Sequence, residues 1–424
     1  MNIKSRLSQI DTQLGQAKKA SSSAIRASQR ASKSEANAVS ERVKNLQSAL
    51  GGEVLSDSSG EFLLIRKFHN TKYAHGKIAL EDSIRRNDYC LSHWRRDFPV
   101  KALAKRSFLF FDTETTGLGG AGAVPFLIGV GSFVRGGLET RQYIIPDFSD
   151  EAAMLERVLA EFSPETILVS YNGRAFDAPL TIDRLIIQRV ARKLPFKHHL
   201  DLLHSSRSLF KRRIQDCSLG NVEAQIFGFQ RTDDIPGYLV PEVYLNWIHH
   251  DDPGLLSEVI AHNRQDIVSL AMLLGIITEA HSTEGDSLTE PLDVYSFMRR
   301  AEARKDRPLA AAVSRKRGAE MASVGIAEIE YHRAMAFKRA GDLRHAVPIF
   351  EQLETGRDRF AQMARLELAK WLEHKMRDYA RALLLTQKAQ RFSLNHSGHK
   401  QDLALWQRRE SRLKRKIETT LRQH

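Results

Sequence analysis

The most constraining feature of this sequence is a short apolar run that ends directly in two acidic residues. Residues 108–111 are all apolar, and Asp112-Thr113-Glu114 follows at once. An apolar run of this length predicts a buried central strand. Side chains two apart on a strand point to the same face, so Asp112 and Glu114 are expected to lie together. Neighbouring buried carboxylates repel unless a cation lies between them, so the pattern favours a metal site over a simple polar strand end.

The elements around this run predict an α/β fold, with a mixed sheet flanked by helices. Strands are predicted at 126–134, 142–145 and 167–170, and the first two should form an antiparallel meander with the Phe-rich strand. Helices are predicted at 151–162, 179–191 and 258–277 from their apolar faces.

A third carboxylate follows the predicted strand at 167–170. Asp177 ends the stretch Asn172-Gly173-Arg174-Ala175-Phe176-Asp177 and opens a helix with Pro179 in its first turn. Two interpretations remain open at this point. Asp177 is a natural helix N-cap, and a carboxylate at a helix N-terminus also stays ionised and can bind a metal ion or its water.

A fourth carboxylate lies inside the long helix predicted at 258–277. His262 and Asp266 are four residues apart and therefore share one helical face. This spacing places a carboxylate ligand beside an imidazole that can take a proton from water. The alternative for the pair alone is a solvated helix face with a local His–Asp contact.

Taken together, the three elements resemble the DEDD exonuclease superfamily, whose fold is ribonuclease-H-like and which includes proofreading exonucleases. The strongest single match is the stretch Phe111-Asp112-Thr113-Glu114-Thr115-Thr116-Gly117-Leu118. The resemblance implies hydrolysis with two Mg²⁺ or Mn²⁺ ions, held by Asp112, Glu114, Asp177 and Asp266. It also implies that His262 is the general base.

This sequence departs from the superfamily at the base. Superfamily members have either Tyr four residues before the last Asp or His five residues before it. Here His262 stands at the Tyr spacing, four residues before Asp266. The role of His262 is therefore less firmly implied than the carboxylate ligands.

A closer resemblance covers residues 50–280. This part of the sequence is similar to a bacterial family of uncharacterised ribonuclease-H-like proteins, some of which carry tetratricopeptide tails. The stretches that match are Gly51-Gly52-Glu53-Val54, His75-Gly76, His199-Leu200-Asp201-Leu202-Leu203, Cys217-Ser218-Leu219 and Asp234-Ile235-Pro236-Gly237-Tyr238. Many relatives of this fold have an acidic residue at the position of Asp201, which implies that Asp201 lies near the metal cluster. A strand-end or capping role for Asp201 is the alternative.

Charge favours a polyanionic partner. The 424 residues include 64 Lys and Arg against 51 Asp and Glu, a net charge of +13, which favours DNA or RNA. The two cysteines, Cys90 and Cys217, form no Cys-x-x-Cys pair, so no zinc site is expected and a reducing, cytoplasmic location fits best. No apolar run has the roughly 20 residues of a membrane helix, so no membrane partner is expected.

The predicted layout has six segments. They are a basic mobile arm at 1–50, a lead-in segment packing on the nuclease domain at 51–105, a ribonuclease-H-like exonuclease domain at 106–280, a linker at 281–326, tetratricopeptide-like helices at 327–395 and a basic C-terminal helix at 396–424. The helical prediction rests on a repeat in which Gly341-Asp342 corresponds to Arg377-Asp378 and Ala346 to Ala382. Two copies are fewer than usually stand alone, so packing on the nuclease domain or on a protein partner is expected.

These patterns support a metal-dependent nuclease, and a 3′–5′ exonuclease is the first hypothesis. An endonuclease with the same metal chemistry is one alternative. A catalytically weak ribonuclease-H fold that serves as a nucleic-acid-binding or adapter protein is another, since fold alone does not decide function.

Overall fold

The computed structural model describes residues 35–84, 108–117, 122–232, 234–395 and 400–422. The chain divides into two compact units. The first comprises Met1–Arg207 and Asp216–Thr278, and the second comprises Ser208–Gln215 and Glu279–His424. Residues 1–34 of the predicted basic arm lie outside the described residues.

A seven-stranded mixed sheet forms the centre of the first unit. Its strands are β1 (Glu53–Asp57), β2 (Gly60–Asn70), β5 (Phe108–Thr115), β6 (Pro125–Val134), β7 (Gly137–Ile144), β8 (Ile167–Ser170) and β9 (His198–Asp201), while β3 (Ala74–His75) and β4 (Ile78–Ala79) form a separate two-stranded sheet. The order of strands across the large sheet is β1-β2-β7-β6-β5-β8-β9. Strands β5, β6 and β7 form the predicted antiparallel meander, and β8 and β9 continue the sheet in parallel. The predicted mixed α/β fold is confirmed.

The helices that begin before residue 283 are α1 (Glu35–Leu50), α2 (Leu80–Ile84), α3 (Glu151–Leu159), α4 (Asp177–Ile187), α5 (Leu202–Ile214), α6 (Leu219–Val222), α7 (Val240–His250) and α8 (Leu256–Ser282). Short 3₁₀ turns occur at Phe148–Asp150 and Gly237–Leu239, and a π turn occurs at Glu223–Phe227. The three helices predicted from apolar periodicity correspond to α3, α4 and α8, and their ends differ from the predictions by up to five residues.

Strand β5 crosses from the core to the surface along its length. Phe108, Phe110 and Phe111 are fully buried, whereas the residues from Asp112 onward are partly exposed. The hydrophobic contacts of the phenylalanines fix the strand, because burying each such ring contributes about 1.5–3 kcal/mol. The acidic triplet is thus held at the edge of the apolar core.

Two segments differ from the sequence predictions because they are ordered parts of the first unit. Residues 35–50 form helix α1 rather than part of a mobile arm, and Val43 and Leu46 are buried. Within the predicted lead-in segment, β2 pairs along its length with β7. A strand at an open sheet edge satisfies its backbone groups by adding to the sheet, so this segment belongs to the sheet instead of only packing on it.

The second unit is helical among its described residues. Its further helices are α9 (Pro291–Ala303), α10 (Arg307–Lys316), α11 (Gly318–Ala322), α12 (Ala327–Arg339), α13 (Leu343–Leu353), α14 (Arg359–Trp371), α15 (Tyr379–Asn395) and α16 (Lys400–Arg422), with a π turn at Leu372–Met376. Helices α9 to α11 lie where the sequence predicted a linker. Their apolar side chains, including Val294, Phe297 and Met298, are buried. These helices are therefore amphipathic, and this pattern was not detected in the sequence among the many charged residues of the stretch.

The repeat seen in the sequence has a structural counterpart. Gly341 and Arg377 both adopt left-handed backbone conformations, with φ of +86° and +56°. The Asp that follows each one accepts a backbone hydrogen bond at the start of the next helix. Ala346 and Ala382, which the repeat aligns, are both fully buried in the helical core. The two helix pairs therefore share their turn geometry as well as their sequence pattern.

Within the ranges that the structure describes, no helix combines the length and apolarity needed to span a bilayer.

Candidate active site

Asp112 and Glu114 lie at the surface end of β5, as the sequence predicted. The backbone partner of Asp112 across β6 is Gly129. A side chain at this position would overlap the amide of Asn263, so the glycine lets helix α8 approach the strand closely. The close approach brings the last two predicted site residues, His262 and Asp266, over the end of β5.

Asn263 fixes Asp112. Its Nδ2 donates to Asp112 Oδ2 at 2.8 Å, and its Oδ1 accepts from Gln142 Nε2 at 2.9 Å. Gln142 also donates to the carbonyl of Ile260 at 2.8 Å. Since Asn263 and Gln142 are both buried, this chain of amides determines which way the Asp112 carboxylate points.

Asp177 is the first residue of α4 rather than its N-cap. The N-cap is Phe176, which makes no side-chain capping bond. Asp177 Oδ1 instead accepts from the hydroxyl of Thr113 at 2.6 Å and from the Thr113 backbone N–H at 3.2 Å. The capping interpretation of Asp177 is therefore wrong, and its carboxylate is directed toward β5.

Asp201 holds the turn that leads to Asp177. Its carboxylate accepts from the backbone N–H groups of Asn172, Arg174 and Leu203 at 2.9, 3.2 and 3.1 Å. Asn172 has a left-handed backbone, with φ of +65°, and these bonds stabilise that turn. With its oxygens bonded to the backbone, Asp201 acts in positioning the loop before α4.

His262 and Asp266 share one face of α8, as their spacing predicted. His262 Nε2 lies 3.8 Å from Asp266 Oδ2. On the other side of the ring, Nδ1 lies 2.6 Å from Asp234 Oδ1. Asp234 thus orients the imidazole so that Nε2 faces the carboxylates.

Arg231 places a fixed cation in the same cluster. Its Nη2 donates to Asp266 Oδ1, while Nε and Nη2 donate to the two oxygens of Glu223 at 2.6 and 2.7 Å. Glu223 is fully buried and also accepts from Ser269. The guanidinium is therefore held by a buried partner while one of its nitrogens binds a predicted metal ligand.

Comparisons with known proteins agree with the fold of the first unit. A family model of the RNase H superfamily matches residues 109–278. The uncharacterized protein YprB of Bacillus subtilis is 33% identical over 338 residues, which cover 78% of this chain and 80% of YprB. The chain therefore belongs to the family that includes YprB, and its residues 109–278 form a domain of the RNase H superfamily.

One solved structure is also similar to this RNase H superfamily protein. It is the family B DNA polymerase from the hyperthermophilic archaeon Pyrobaculum calidifontis, with 19% identity and a TM-score of 0.31. The match covers 46% of this chain and 29% of the polymerase chain. This overlap is too limited to assign a function.

The carboxylates of this RNase H superfamily site resist ionisation. Burial, followed by the charges of Asp266, Glu114 and Asp177, raises the pKa of Asp112 well above its usual value. Burial likewise raises the pKa of Glu114 to about 8 and that of Asp177 to about 6, although His262 opposes the first shift and Thr113 the second. A cluster in this state takes up protons unless another cation neutralises it.

The pKa of His262 is raised, although burial by itself lowers the pKa of a histidine. Burial by itself lowers its pKa, but the hydrogen bond to Asp234 and the charges of Asp266 and Glu114 outweigh that effect. The pKa of His262 is raised to about 9. The imidazole is therefore charged near pH 7 in the metal-free protein, and neutralisation of the carboxylates by a metal ion would lower its pKa.

The chemistry of these residues suits a divalent cation, but three of the predicted ligands are bonded to protein donors. Hard carboxylate oxygens whose mutual repulsion raises their pKa are the ligands that Mg²⁺ and Mn²⁺ prefer. Across the part of the chain that the structure describes, no group of three or more His, Cys, Asp or Glu is already arranged as a metal site. Three predicted ligands instead bond to protein donors, Asp112 to Asn263, Asp177 to Thr113 and Asp266 to Arg231.

Several residues of the site were not found from the sequence. They are Thr113, Gln142, Glu223, Arg231, Asp234 and Asn263. Thr113 and Asn263 are adjacent to predicted site residues, and Asp234 begins a stretch that matched the bacterial family, so a weak signal existed for these three. Gln142, Glu223 and Arg231 carry no local signal, because they reach the site only through sheet pairing and helix packing.

Proposed function

We propose that this protein is a metal-dependent nuclease of the DEDD type, acting as a 3′–5′ exonuclease on DNA or RNA. The observation that carries the proposal is the convergence of four carboxylates from three elements. Asp112 and Glu114 come from β5, Asp177 from α4 and Asp266 from α8. Burial and the charges of neighbouring carboxylates in this group raise the pKa values of Asp112 and Glu114. The net charge of +13 supports a nucleic-acid substrate.

Asp112, Glu114, Asp177 and Asp266 would hold Mg²⁺ or Mn²⁺, in a site for two ions. Divalent ions supply Lewis-acid stabilisation of the charge that develops on phosphate oxygens during hydrolysis. A metal ion at Asp266 would share that carboxylate with Arg231, which bonds Oδ1, or would displace the arginine. A displaced Arg231 keeps its two bonds to Glu223, so no buried cation is left unpaired.

His262 is the proposed general base. In its neutral form, Nε2 accepts the proton of the attacking water, and Nδ1 keeps its proton in the bond to Asp234. Asp234 then acts as a positioning residue, since it fixes the tautomer and the ring orientation. The approach of Nε2 to Asp266 and Glu114 places the base beside the proposed ligands.

A binding-only function is the second candidate. The observation that favours it is the ion pair of Arg231 with Asp266, which neutralises one carboxylate without a metal ion. In that case the protein would be a catalytically weak nucleic-acid-binding or adapter protein. The test below separates the two candidates.

The test is digestion of end-labelled nucleic acids by the full-length chain with Mg²⁺ or Mn²⁺. Single- and double-stranded DNA and RNA are labelled at either end, and a covalently closed circular DNA reports internal cuts. We expect stepwise shortening from the 3′ end that Asp112→Ala or Asp266→Ala abolishes while binding persists. Asp252→Asn, an exposed acid of the same unit, is the matched control. Cutting of the circle would indicate an endonuclease, and no cleavage of any substrate would favour the binding protein.

We also propose that residues 327–395 form two tetratricopeptide-like hairpins. The shared turns at Gly341 and Arg377 and the buried Ala346 and Ala382 support this proposal. Two repeats offer a concave surface of the kind that binds peptides, so these helices are proposed to recruit a protein partner. The boundaries of the exonuclease domain at 106–280, of the helices at 327–395 and of the C-terminal helix at 396–424 remain part of the same proposal.

A further inference from the structure

A groove lies between helices α14 and α16 of the second unit. Its cavity measures about 590 Å³, which is within the range of ligand-binding clefts. The lining residues are Arg359, Gln362, Met363, Leu366, Lys370, Leu405, Trp406, Arg408, Arg409 and Arg412. These residues divide into an apolar floor and a basic rim.

The floor exposes aliphatic rather than aromatic surface. Leu405 is 63% exposed and Met363 is 39% exposed, whereas Trp406 is only 6% exposed. Large apolar side chains that stay exposed in a concave site mark a place where another apolar group can bind. Methionine adds adaptable packing of the kind found in peptide-binding grooves.

The rim has five cationic side chains, and none of the described residues that line the groove is acidic. Arg409 and Arg412 both bind the buried Glu373, which Lys416 shares. Lys370 binds Glu367, which Lys338 shares. Because each of these two carboxylates serves more than one cation, the rim keeps an excess of positive charge.

This charge argues against the two long segments outside the described residues as the occupant. Residues 1–34 contain seven Lys or Arg and one Asp, and residues 85–107 contain seven Lys or Arg and two Asp. A second copy of the chain carries the same net charge of +13. The positive net charge of all three opposes their association with a basic rim, which favours a different molecule with negative charge as the occupant.

We propose that the groove between α14 and α16 binds an acidic segment of a partner protein that carries apolar side chains. Single-stranded nucleic acid also has negative charge, but it binds by stacking bases on exposed aromatic rings. The ring of Trp406 is covered, and the exposed floor is aliphatic. An acidic amphipathic peptide matches both parts of the groove, with apolar side chains on Leu405 and Met363 and carboxylates at the rim.

This inference goes beyond the proposed nuclease function and does not depend on it. The experiment uses the full-length chain and a fluorescein-labelled peptide of about twelve residues made of Asp, Glu, Leu and Phe. Fluorescence anisotropy reports binding. Leu405→Ser tests the floor and Arg408→Glu tests the rim, and both positions are exposed, so folding is preserved. Arg415→Glu is the matched control, because it removes the same charge from an exposed position of α16 outside the groove.

The expected result is saturable binding that Leu405→Ser and Arg408→Glu each weaken by about tenfold or more, while Arg415→Glu has little effect. A peptide with Ser in place of Leu and Phe should bind more weakly than the original. The proposal is overturned if the peptide does not bind, or if Arg415→Glu weakens binding as much as Arg408→Glu. It is also overturned if an unlabelled thymidine oligonucleotide displaces the peptide and Leu405→Ser changes neither interaction, since the groove would then be a nucleic-acid surface.

Discussion

Arg231 donates a hydrogen bond to Asp266 while two further bonds hold the same guanidinium on the buried Glu223. A protein cation therefore already neutralises one of the four clustered carboxylates. A metal ion that uses Asp266 must compete with this cation, and the competition makes the free energy of metal binding less favourable.

Replacing the ion pair should strengthen metal binding. The double variant Arg231→Met with Glu223→Gln removes both buried charges together, because removing the arginine alone would leave Glu223 unpaired. We expect it to bind Mg²⁺ at least about tenfold more tightly, measured by isothermal titration calorimetry. The control, Arg192→Met with Glu165→Gln, removes the same two charges from exposed positions of the same unit. Equal affinities in both variants would mean that Arg231 does not compete with the ion.

Asp112→Asn should stabilise the metal-free protein. Because the pKa of Asp112 is raised in the folded state, its ionised form opposes folding at neutral pH. Asn removes the charge and keeps an oxygen that can accept from Asn263. In EDTA the melting temperature should rise, by about 2–4 °C for each kcal/mol of repulsion removed. Added Mg²⁺ should stabilise the unmodified protein but have little effect on the variant. A variant that melts below the unmodified protein in EDTA would contradict this account.

Metal binding should release protons over a defined pH range. The pKa values of Glu114 and Asp177, about 8 and 6, mean that both carboxyls gain protons as pH falls from 8 to 6. Protons then compete with the ion, so Mg²⁺ affinity should decrease toward pH 6. Calorimetry in two buffers with different ionisation enthalpies measures the protons released. Glu114→Gln should release fewer protons at pH 7, and unchanged release would remove Glu114 from the cluster.

His262 should control the pH dependence of cleavage. His262→Ala should lower the rate by a factor of about 10² to 10⁴, the usual effect of losing a general base, while Mg²⁺ still binds. We expect His262→Tyr to retain more activity than His262→Ala. The measurement is single-turnover cleavage from pH 6 to 9, and an unchanged profile in His262→Ala would assign the ring a structural role.

Asp234→Asn tests how the imidazole is positioned. The bond to Asp234 raises the pKa of His262, so its loss should lower that pKa and make the ring neutral at lower pH. The rising limb of the cleavage profile should move to lower pH even if the maximal rate falls. A fall in rate with no movement of the limb would contradict the positioning role.

The aligned turns of the helical unit should respond in opposite ways to substitution. Gly341 has φ of +86°, so Gly341→Ala should lower the free energy of unfolding by about 1 kcal/mol. Arg377 already bears the strain of a left-handed conformation, with φ of +56°, so Arg377→Gly should be neutral or stabilising. Urea unfolding followed by circular dichroism measures both. Similar losses in the two variants would show that the turns are not equivalent.

Some features of this protein are encoded over short distances, and the sequence determined them alone. The apolar run at 108–111 defined strand β5 and the shared face of Asp112 and Glu114, because side-chain alternation is a property of any strand. The spacing of four placed His262 and Asp266 on one face of α8 for the corresponding helical reason. The repeat likewise aligned Gly341 with Arg377, and both residues have left-handed backbones.

Only the tertiary structure decided the features that depend on contacts between distant segments. Arg231 meets Asp266 across 35 residues, and Asn263 meets Asp112 across 151 residues. The sequence left Asp177 open between a helix cap and a metal ligand, because its nearest helix amides and the distant Thr113 are both suitable donors for a carboxylate. The physical reason is that local rules fix periodicity and direction along one element. Which donor a buried carboxylate finds depends on how closely two elements pack, and here Gly129 permits α8 to approach β5.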